Sequence, residues 1–393
     1  MADTEDRRER RRRRRRRFRL VVLLTALPFL AEISAYAAGR VLQSKWCMYV
    51  DPLEVSPTRI ARDYDHYLEL RDPELGWPFP TEFGGEGHYT AEGAIAVPAN
   101  EGLPESPHVS LYGDSFTWGL TNQTHEEAWA NRLALKLGKR VENFGVGGYG
   151  SDQAYLRFLR QTDDHAESVV LGHMSENMTR NLTRLRDLTA GGGQGFSFKP
   201  RFDLDAEGHL EAVPLLDLNQ EDYLRFLGVR APQLFVPHEN FYPGGPMGVV
   251  RLTFPYTLAV LRNFGYWRFQ ARLARRPEYE PFYDPEHFAH GLQITAAILT
   301  SFVEVARQRG QRPLVLLFPG REDLALRQQT GVSMLAGLAE RVRASGVTVI
   351  DFTELLADYL GDRPAEAIYA NHHFTTEVDP LVADAVAQAL TTE

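Results

Sequence analysis

The sequence has 393 residues, 44% of them hydrophobic and 24% charged, which excludes a wholly disordered chain and allows one large core or two smaller ones. The net charge of −9 is unevenly distributed. Residues 1–19 contain eleven Arg and four acidic residues, a net of +7, whereas the rest of the chain carries −16. The acidic charge of residues 20–393 argues against nucleic-acid binding, because that binding depends on neutralising phosphates.

An apolar stretch follows the basic segment directly. The chain has no charged residue between Leu20 and Ala31, and the stretch continues to Gly39 after a single Glu32. A helix of this length can cross about 30 Å of hydrocarbon, and the arginines before it would hold the N-terminus in the cytoplasm. We therefore predict a single-pass transmembrane anchor, with the main domain on the periplasmic or extracellular side.

Cleavage as a signal peptide is the alternative for this stretch. Ala35-Tyr36-Ala37 resembles a signal-peptidase site, and cleavage near Ala37 would release a secreted protein. Glu32 is costly at the centre of a membrane, but it lies late enough to approach the outer interface. We favour the uncleaved anchor, and the arginine block argues against a buried helix of a soluble protein.

The rest of the chain divides into a lead-in region and an α/β domain. The predicted organisation is a basic cytoplasmic tail at 1–19, a transmembrane anchor at 20–39, a stalk with lead-in loops at 40–106 and the domain at 107–393. In the domain, short apolar strands alternate with helices, which predicts a parallel sheet between two helical layers. The predicted strands are 108–112, 140–144, 168–172, 313–318 and 347–351, and the predicted helices are 126–138, 152–162, 291–310, 331–345 and 378–390.

An insertion at about 182–290 separates the third strand from the fourth. It contains a predicted β-hairpin around Ala206-Glu207-Gly208 and an aromatic-rich stretch at 252–275. Aromatic residues near the carboxyl edge of a sheet can form a lid or a sugar-binding wall. More often they fill a small core, and that is our expectation.

The segment GDSFTWG, from Gly113 to Gly119, is the most informative part of the sequence. An apolar strand precedes it and a helical pattern follows it. Ser115 is therefore predicted at a strand-to-helix corner on the carboxyl edge of the sheet, where open α/β proteins bind ligands. A serine nucleophile also needs a base and donors for the oxyanion.

Candidates for these other parts follow the strands in order. Gly148 lies in the glycine-rich run after the second strand, where a backbone N–H can approach a substrate closely. Asn177, just past the third strand, offers an amide donor. His372 and His373, just before the last helix, supply imidazole bases.

A Ser in GDS, a Gly after the second strand, an Asn after the third and a late His together resemble the SGNH (GDSL-type) hydrolases. The resemblance covers roughly 107–182 and 312–390. It implies a flavodoxin-like three-layer sandwich with a five-stranded parallel sheet of order 2-1-3-4-5. It also implies ester hydrolysis or acyl transfer without a metal or organic cofactor. The roles that it implies are nucleophile for Ser115, base for His373 and oxyanion hole for Gly148 and Asn177.

A membrane-anchored subset of that family is similar in two further motifs, Gly148-Tyr149-Gly150 and Arg180-Asn181. Such relatives are often linked to the modification of surface polysaccharides. The resemblance therefore implies an acyl ester, carried by carbohydrate, as the substrate. It implies the membrane as a partner and no nucleic acid.

Two positions depart from the family pattern. Met178 follows Asn177 where an Asp is usual, and Ala370 stands three residues before His373, where the family has the triad acid. That acid fixes the imidazole tautomer and stabilises the imidazolium. Asn371 could orient the ring through its amide, or a backbone carbonyl could do so. We predict a weak esterase or a Ser–His dyad; the alternative is an inactive binding or assembly protein for surface glycan.

Overall fold

A five-stranded parallel sheet forms the centre of the α/β domain. A computed structural model of the chain describes residues 2–46, 48–49, 64–77, 89–90, 93–189, 198–229 and 238–392. The strands in these residues are β1 (Val109–Tyr112), β2 (Val141–Asn143), β3 (Ser168–Met174), β4 (Arg201–Leu204), β5 (Leu210–Val213), β6 (Arg312–Phe318), β7 (Thr348–Asp351), β8 (Tyr369–Ala370) and β9 (His373–Phe374). The central sheet has the order β2-β1-β3-β6-β7, and all neighbours are parallel. Counted within the sheet this order is 2-1-3-4-5, which confirms the predicted flavodoxin-like fold.

Helices cover both faces of the sheet, as strands that are apolar on both sides require. The described helices are α1 (Ala2–Trp46), α2 (Tyr64–Leu70), α3 (Ser115–Trp118), α4 (Trp129–Leu137), α5 (Ser151–Arg160), α6 (Asn177–Arg180), α7 (Gln220–Val229), α8 (Tyr256–Asn263), α9 (Trp267–Ala274), α10 (Gly291–Gln308), α11 (Arg321–Thr330), α12 (Ala336–Arg343), α13 (Phe352–Leu360) and α14 (Asp379–Thr391). Along β3, Val169 and Leu171 belong to a core with α5, α10 and α12, whereas Val170 belongs to a second core with α4, α13 and α14. Alternate side chains of a strand point to opposite faces, so these two cores confirm the three layers.

The sequence patterns locate the five sheet strands to within two residues but do not reveal α11 or α13. The predicted helix at 331–345 is shorter in the structure, because Gly331 ends α11 with a φ of 76°. Asp351 belongs to β7 and also caps α13, accepting a hydrogen bond from Thr353 N at 2.9 Å. Strand and helix therefore follow each other without a loop that a sequence pattern could show.

The insertion contributes to the core on the α10 side. β4 and β5 pair antiparallel and confirm the predicted hairpin. Phe202, Tyr223, Phe241 and Trp267 are buried in the core that includes α10, in agreement with the expectation that its aromatic residues fill a core.

The described parts of the lead-in region pack against the domain. Tyr67 of α2 stacks on Tyr223 of α7, with ring centroids 4.5 Å apart. Ile95 N donates a hydrogen bond to Asn143 O, at the end of β2, at 2.6 Å. The predicted stalk also includes residues 51–63, which lie outside the described residues.

The N-terminal helix α1 contains the apolar stretch. Its segment from Arg11 to Trp46 is long and apolar enough to cross a membrane, and none of its most apolar window is buried. By length and composition, α1 is a candidate for a membrane anchor or a signal sequence.

Candidate active site

A tight strand-to-helix corner presents Ser115. β1 leads through two residues into α3, which begins at Ser115 on the carboxyl edge of the sheet. Asp114 caps this helix, because its Oδ1 accepts a hydrogen bond from Phe116 N at 2.8 Å. A Cβ at Gly113 would lie 2.0 Å from Thr117 Oγ1, so the corner requires glycine there.

His373 lies in direct contact with this serine. Ser115 Oγ and His373 Nε2 are 2.8 Å apart, and His373 Nδ1 is 2.9 Å from the backbone oxygen of Asn371. A carbonyl oxygen can only accept, so Nδ1 carries the proton and the lone pair of Nε2 accepts the Ser115 hydroxyl. Burial lowers the pKa of His373 below its ordinary value of 6.5, although the Asn371 carbonyl opposes this shift. The ring is therefore neutral near pH 7, as a general base must be.

A two-residue hairpin turn directs the Asn371 carbonyl at the imidazole. β8 and β9 pair antiparallel with Ala370 opposite His373, and between them Asn371 and His372 have φ values of 48° and 64°. Two successive positive φ values are typical of a type I′ turn, which favours Asn and strains His. The acceptor for the ring is thus a backbone carbonyl, that of Asn371, and not the side-chain amide of Asn371. Its amide Nδ2 lies 3.4 Å from Asn122 Oδ1 instead.

Asn122 fastens this hairpin to the rest of the domain. Its Nδ2 donates to Ala370 O at 2.7 Å and to Phe374 O at 3.0 Å. Nothing in the sequence around Asn122 indicates this role, because its partners lie 248 and 252 positions away.

Gly148 and Asn177 lie after β2 and β3, the neighbours of β1 in the sheet. Gly148 has a φ of 83° in a turn that is joined to the serine corner, since Val146 N donates to Gly113 O at 3.1 Å. Asn177 begins α6 and is completely buried. Within the described residues neither its Nδ2 nor its Oδ1 meets the geometry of a hydrogen bond, but the amide lies close enough to the Asp114 carboxyl to lower the pKa of that group.

A buried arginine connects the loops around the site. Arg180 Nη1 donates to Tyr149 O at 2.8 Å, and Arg180 Nη2 pairs with Glu176 at 3.0 Å. Arg180 Nη1 also lies 3.9 Å from Asp114 Oδ2. Burial raises the pKa of Asp114, and the charge of Arg180 opposes that shift. Burial also favours neutral Glu176, but the charges of Arg180 and Arg186 prevail and lower its pKa to about 2.

One cavity is lined by Ser115 and His373, and a second one reaches His372, the neighbour of His373 in the sequence. The smaller one, about 20 Å³, has room for one water-sized group. Besides the pair, its lining is Phe116, Gly119, Thr121, Gln123, Trp129, Phe318, Phe374, Asp379 and Val382. Burial raises the pKa of Asp379 to about 7.

The larger cavity is a groove of about 540 Å³. Its lining includes His372 and many charged side chains, among them Glu176, Arg272, Arg275, Glu278 and Arg321. Gly148 and Asn177 are part of neither lining.

Comparisons with known proteins find similarity in structure only. No family model matches the chain, and no curated protein matches it. Among solved structures 22 chains match. The psychrotrophic esterase EstA from Pseudoalteromonas sp. has a TM-score of 0.32 and 9% identity, over 72% of this chain and 96% of its own. A mutant of Axe2, an acetyl-xylooligosaccharide esterase from Geobacillus Stearmophilus, has a TM-score of 0.37 and 8% identity, over 74% and 97%.

A third structure is described as a lipolytic protein of the G-D-S-L family from Desulfitobacterium hafniense DCB-2. Its TM-score is 0.34 and its identity 13%, over 72% of this chain and 98% of its own. The sheet of this chain has the flavodoxin-like strand order 2-1-3-4-5, and a GDS serine follows β1 directly. At such low identities and TM-scores, nothing about the substrate of this chain follows from these structures.

We expect the rate to depend on a histidine that is harder to protonate than usual. The neutral ring of His373 is the base and burial lowers its pKa, so kcat/KM for an aryl ester should fall on the acid side with a midpoint below pH 6.5. Initial rates of the full chain in detergent, measured across pH, give this midpoint. Asp379 lines the same cavity and has a pKa of about 7, so its titration could also change the rate. The control variant Asp379→Asn should therefore show the same fall in rate on the acid side as the parent. A midpoint above 6.5 would contradict the prediction.

Ala370→Asp should strengthen the base. Ala370 pairs with His373 across the hairpin, so a carboxylate on that side chain would lie beside the imidazole. We expect kcat/KM to rise on the order of tenfold and the acid limb to move to higher pH, because a carboxylate stabilises the imidazolium. The neutral variant Ala370→Asn, of the same shape, should show neither change. Identical pH profiles for the two variants would show that the carboxylate at position 370 does not act on the His373 imidazole.

His372→Gly should stabilise the protein and leave it active. Glycine removes the strain of a φ of 64°, which we expect to raise the free energy of unfolding by about 1 kcal/mol. Chemical denaturation measures this change, and ester hydrolysis measures activity, with His373→Ala as the inactive control. Loss of activity in His372→Gly would instead assign the base to His372.

Proposed function

We propose that the protein is a membrane-anchored serine esterase or O-acyltransferase that acts on acyl esters of surface carbohydrate. The observation that carries this proposal is the 2.8 Å contact between Ser115 Oγ and His373 Nε2, with Nδ1 held by the Asn371 carbonyl. A neutral base in contact with a serine that begins a helix is the arrangement that nucleophilic catalysis needs.

The reaction would proceed through an acyl-enzyme. Ser115 Oγ attacks the ester carbonyl carbon while its proton moves to His373 Nε2. The backbone N–H groups of Ser115 and Gly148 and the amide of Asn177 would donate to the oxyanion. Collapse breaks the ester bond, and His373 returns the proton to the leaving alcohol. Water or a sugar hydroxyl then takes the acyl group by the same steps in reverse order.

The absence of a triad carboxylate weakens this base without removing it. The Asn371 carbonyl fixes the same tautomer that an acid would fix, but it contributes a dipole and no full charge to the imidazolium. We expect a rate below that of a complete triad by a factor on the order of 10²–10⁴.

The two cavities support the proposed substrate. The cavity of about 20 Å³ beside Ser115 fits a methyl-sized group, which favours a short acyl chain. The groove of about 540 Å³ at His372 is large and charged, which suits a polar carbohydrate as leaving group or acceptor.

Contacts of the apolar helix with the domain support the anchor over a cleaved signal peptide. Glu32 Oε2 accepts a hydrogen bond from Tyr256 N at 2.5 Å, and the rings of Tyr36 and Tyr256 lie 4.9 Å apart. Cleavage near Ala37 would remove both contacts from the domain. The arginines before the helix favour a cytoplasmic N-terminus and an outward-facing domain.

A catalytically inactive protein that binds or assembles surface glycan is the second candidate. One observation favours it: the residue opposite His373 in the hairpin is Ala370, so the side chain that would supply the acid is missing.

Labelling of the full chain with a fluorophosphonate distinguishes the two candidates. The chain offers a matched control in Ser151, whose Oγ lies 2.7 Å from His173 Nδ1 but which is fully buried, as is His173. Burial lowers the pKa of His173 to about 3. We expect the parent and Ser151→Ala to be labelled and to hydrolyse aryl acetates, and Ser115→Ala to do neither. Equal labelling of Ser115→Ala would refute the serine mechanism, and an unlabelled parent that binds glycan would favour the binding protein.

A further inference from the structure

The single acidic residue of the apolar stretch is used to cap a helix of the domain. Glu32 Oε2 accepts hydrogen bonds from Tyr256 N at 2.5 Å and from Thr257 N at 3.4 Å, and Thr257 Oγ1 donates to Glu32 Oε1. These two backbone groups open α8, whose own N-cap residue, Pro255, supplies no side-chain hydrogen bond. A carboxylate at a helix N-terminus is stabilised by the free N–H groups and by the helix dipole.

The contact between α1 and this part of the insertion extends along one face of α1. Tyr36, one turn after Glu32, packs its ring on Tyr256 at 4.9 Å. Gly39 follows on the same face, and a Cβ there would come within 2.5 Å of Leu252 Cδ1. Residues at positions i, i+4 and i+7 share a face of a helix, so the three positions form one continuous docking surface.

The insertion carries an apolar stripe at this docking surface. Phe254, just before α8, is 72% exposed, and Leu261 on α8 is 65% exposed. Leu258 and Phe264 are also exposed, so large apolar side chains recur at every third or fourth position from 254 to 264. An exposed stripe of this kind on a water-soluble surface is unusual and marks an interaction site.

The position of α8 along α1 indicates what covers the stripe. The exposed apolar side chains of α1 include Phe29, Leu30 and Ile33, immediately beside Glu32. With a rise of about 1.5 Å per residue, Glu32 lies roughly 10 Å before Gly39, at the end of the apolar stretch. Tyr256, which Glu32 and Tyr36 contact, lies within the stripe, so the stripe begins at the outer end of the apolar stretch of α1, where hydrocarbon gives way to headgroups.

Charged residues around α8 fit the same location. Arg251 precedes the stripe and Arg262 lies on α8. Cations along an apolar stripe are typical of helices that lie in the headgroup region of a bilayer.

We propose that α8, with the apolar stripe from Phe254 to Phe264, lies in the outer leaflet of the membrane as a second contact beside α1. The occupant of the stripe is lipid, because the outer end of the anchor contacts α8 at Tyr256, within the stripe. The inference rests on the anchor of the proposed function and is independent of the chemistry at Ser115. Capping by Glu32 makes the two membrane contacts one unit, which fixes the orientation of the domain relative to the bilayer.

Spin labels on the full chain test this placement. Cys47 is the single cysteine, so Cys47→Ser provides a background for Leu261→Cys, for Leu24→Cys on α1 and for Leu135→Cys on α4. Leu135 is 66% exposed and belongs to the helical layer on the other face of the sheet, so it matches Leu261 in type and exposure. The labelled proteins are reconstituted into vesicles of phosphatidylethanolamine and phosphatidylglycerol. Power saturation compares collisions with oxygen, which concentrates in lipid, and with a water-soluble nickel chelate.

We expect the labels at 24 and 261 to collide mainly with oxygen and little with the nickel chelate. The label at 135 should collide readily with the nickel chelate. A label at 261 that behaves like the label at 135, while the label at 24 is protected, overturns the placement of α8 and leaves the anchor intact. Nickel access at both 24 and 261 overturns the anchor as well. Ester hydrolysis by each labelled protein reports on the Ser115 chemistry separately, so the failure of one proposal is distinguishable from the failure of the other.

Discussion

The guanidinium of Arg180 is the interaction on which the candidate site depends. It joins the carboxylates of Asp114 and Glu176 to the backbone of Tyr149, and thereby connects the loops that follow β1, β2 and β3. These are the loops that hold Ser115, Gly148 and Asn177. Removing one partner of a buried ion pair typically costs about 3–5 kcal/mol, because the remaining charge is left in the interior. Loss of Arg180 would therefore disturb all three loops at once.

The insertion combines two environments. Its buried aromatic residues, such as Phe241 and Trp267, extend the core beside α10, whereas Phe254 and Leu261 remain exposed. Composition alone does not separate the two groups, because both are large and apolar. The proposed membrane contact of α8 would account for the difference, because it would cover the exposed group with lipid.

The sequence allows the sheet and the Ser–His pair to be predicted, because both follow from short local patterns taken in order. Apolar strands mark the sheet, and the GDS motif with a late histidine marks Ser115 and His373. Contacts set by distant parts of the chain escape this approach. Asn122 and Glu32 reach partners 248 and 224 positions away, and nothing in their neighbourhoods indicates it. The sequence leaves open whether an amide or a backbone carbonyl orients His373, because that choice depends on the backbone angles of Asn371 and His372.

That carbonyl has a consequence for the acid tolerance of the site. A triad carboxylate can be protonated at low pH, and it then loses the charge that holds the imidazole. A peptide oxygen has no protonated form in the range where proteins fold, so the acceptor for His373 Nδ1 is the same at every pH. Of the two nitrogens of the His373 ring, only Nε2 gains or loses a proton as the pH changes. Compared with a full triad, this arrangement stabilises the imidazolium less, but the orientation of His373 does not depend on the protonation of a neighbouring carboxyl.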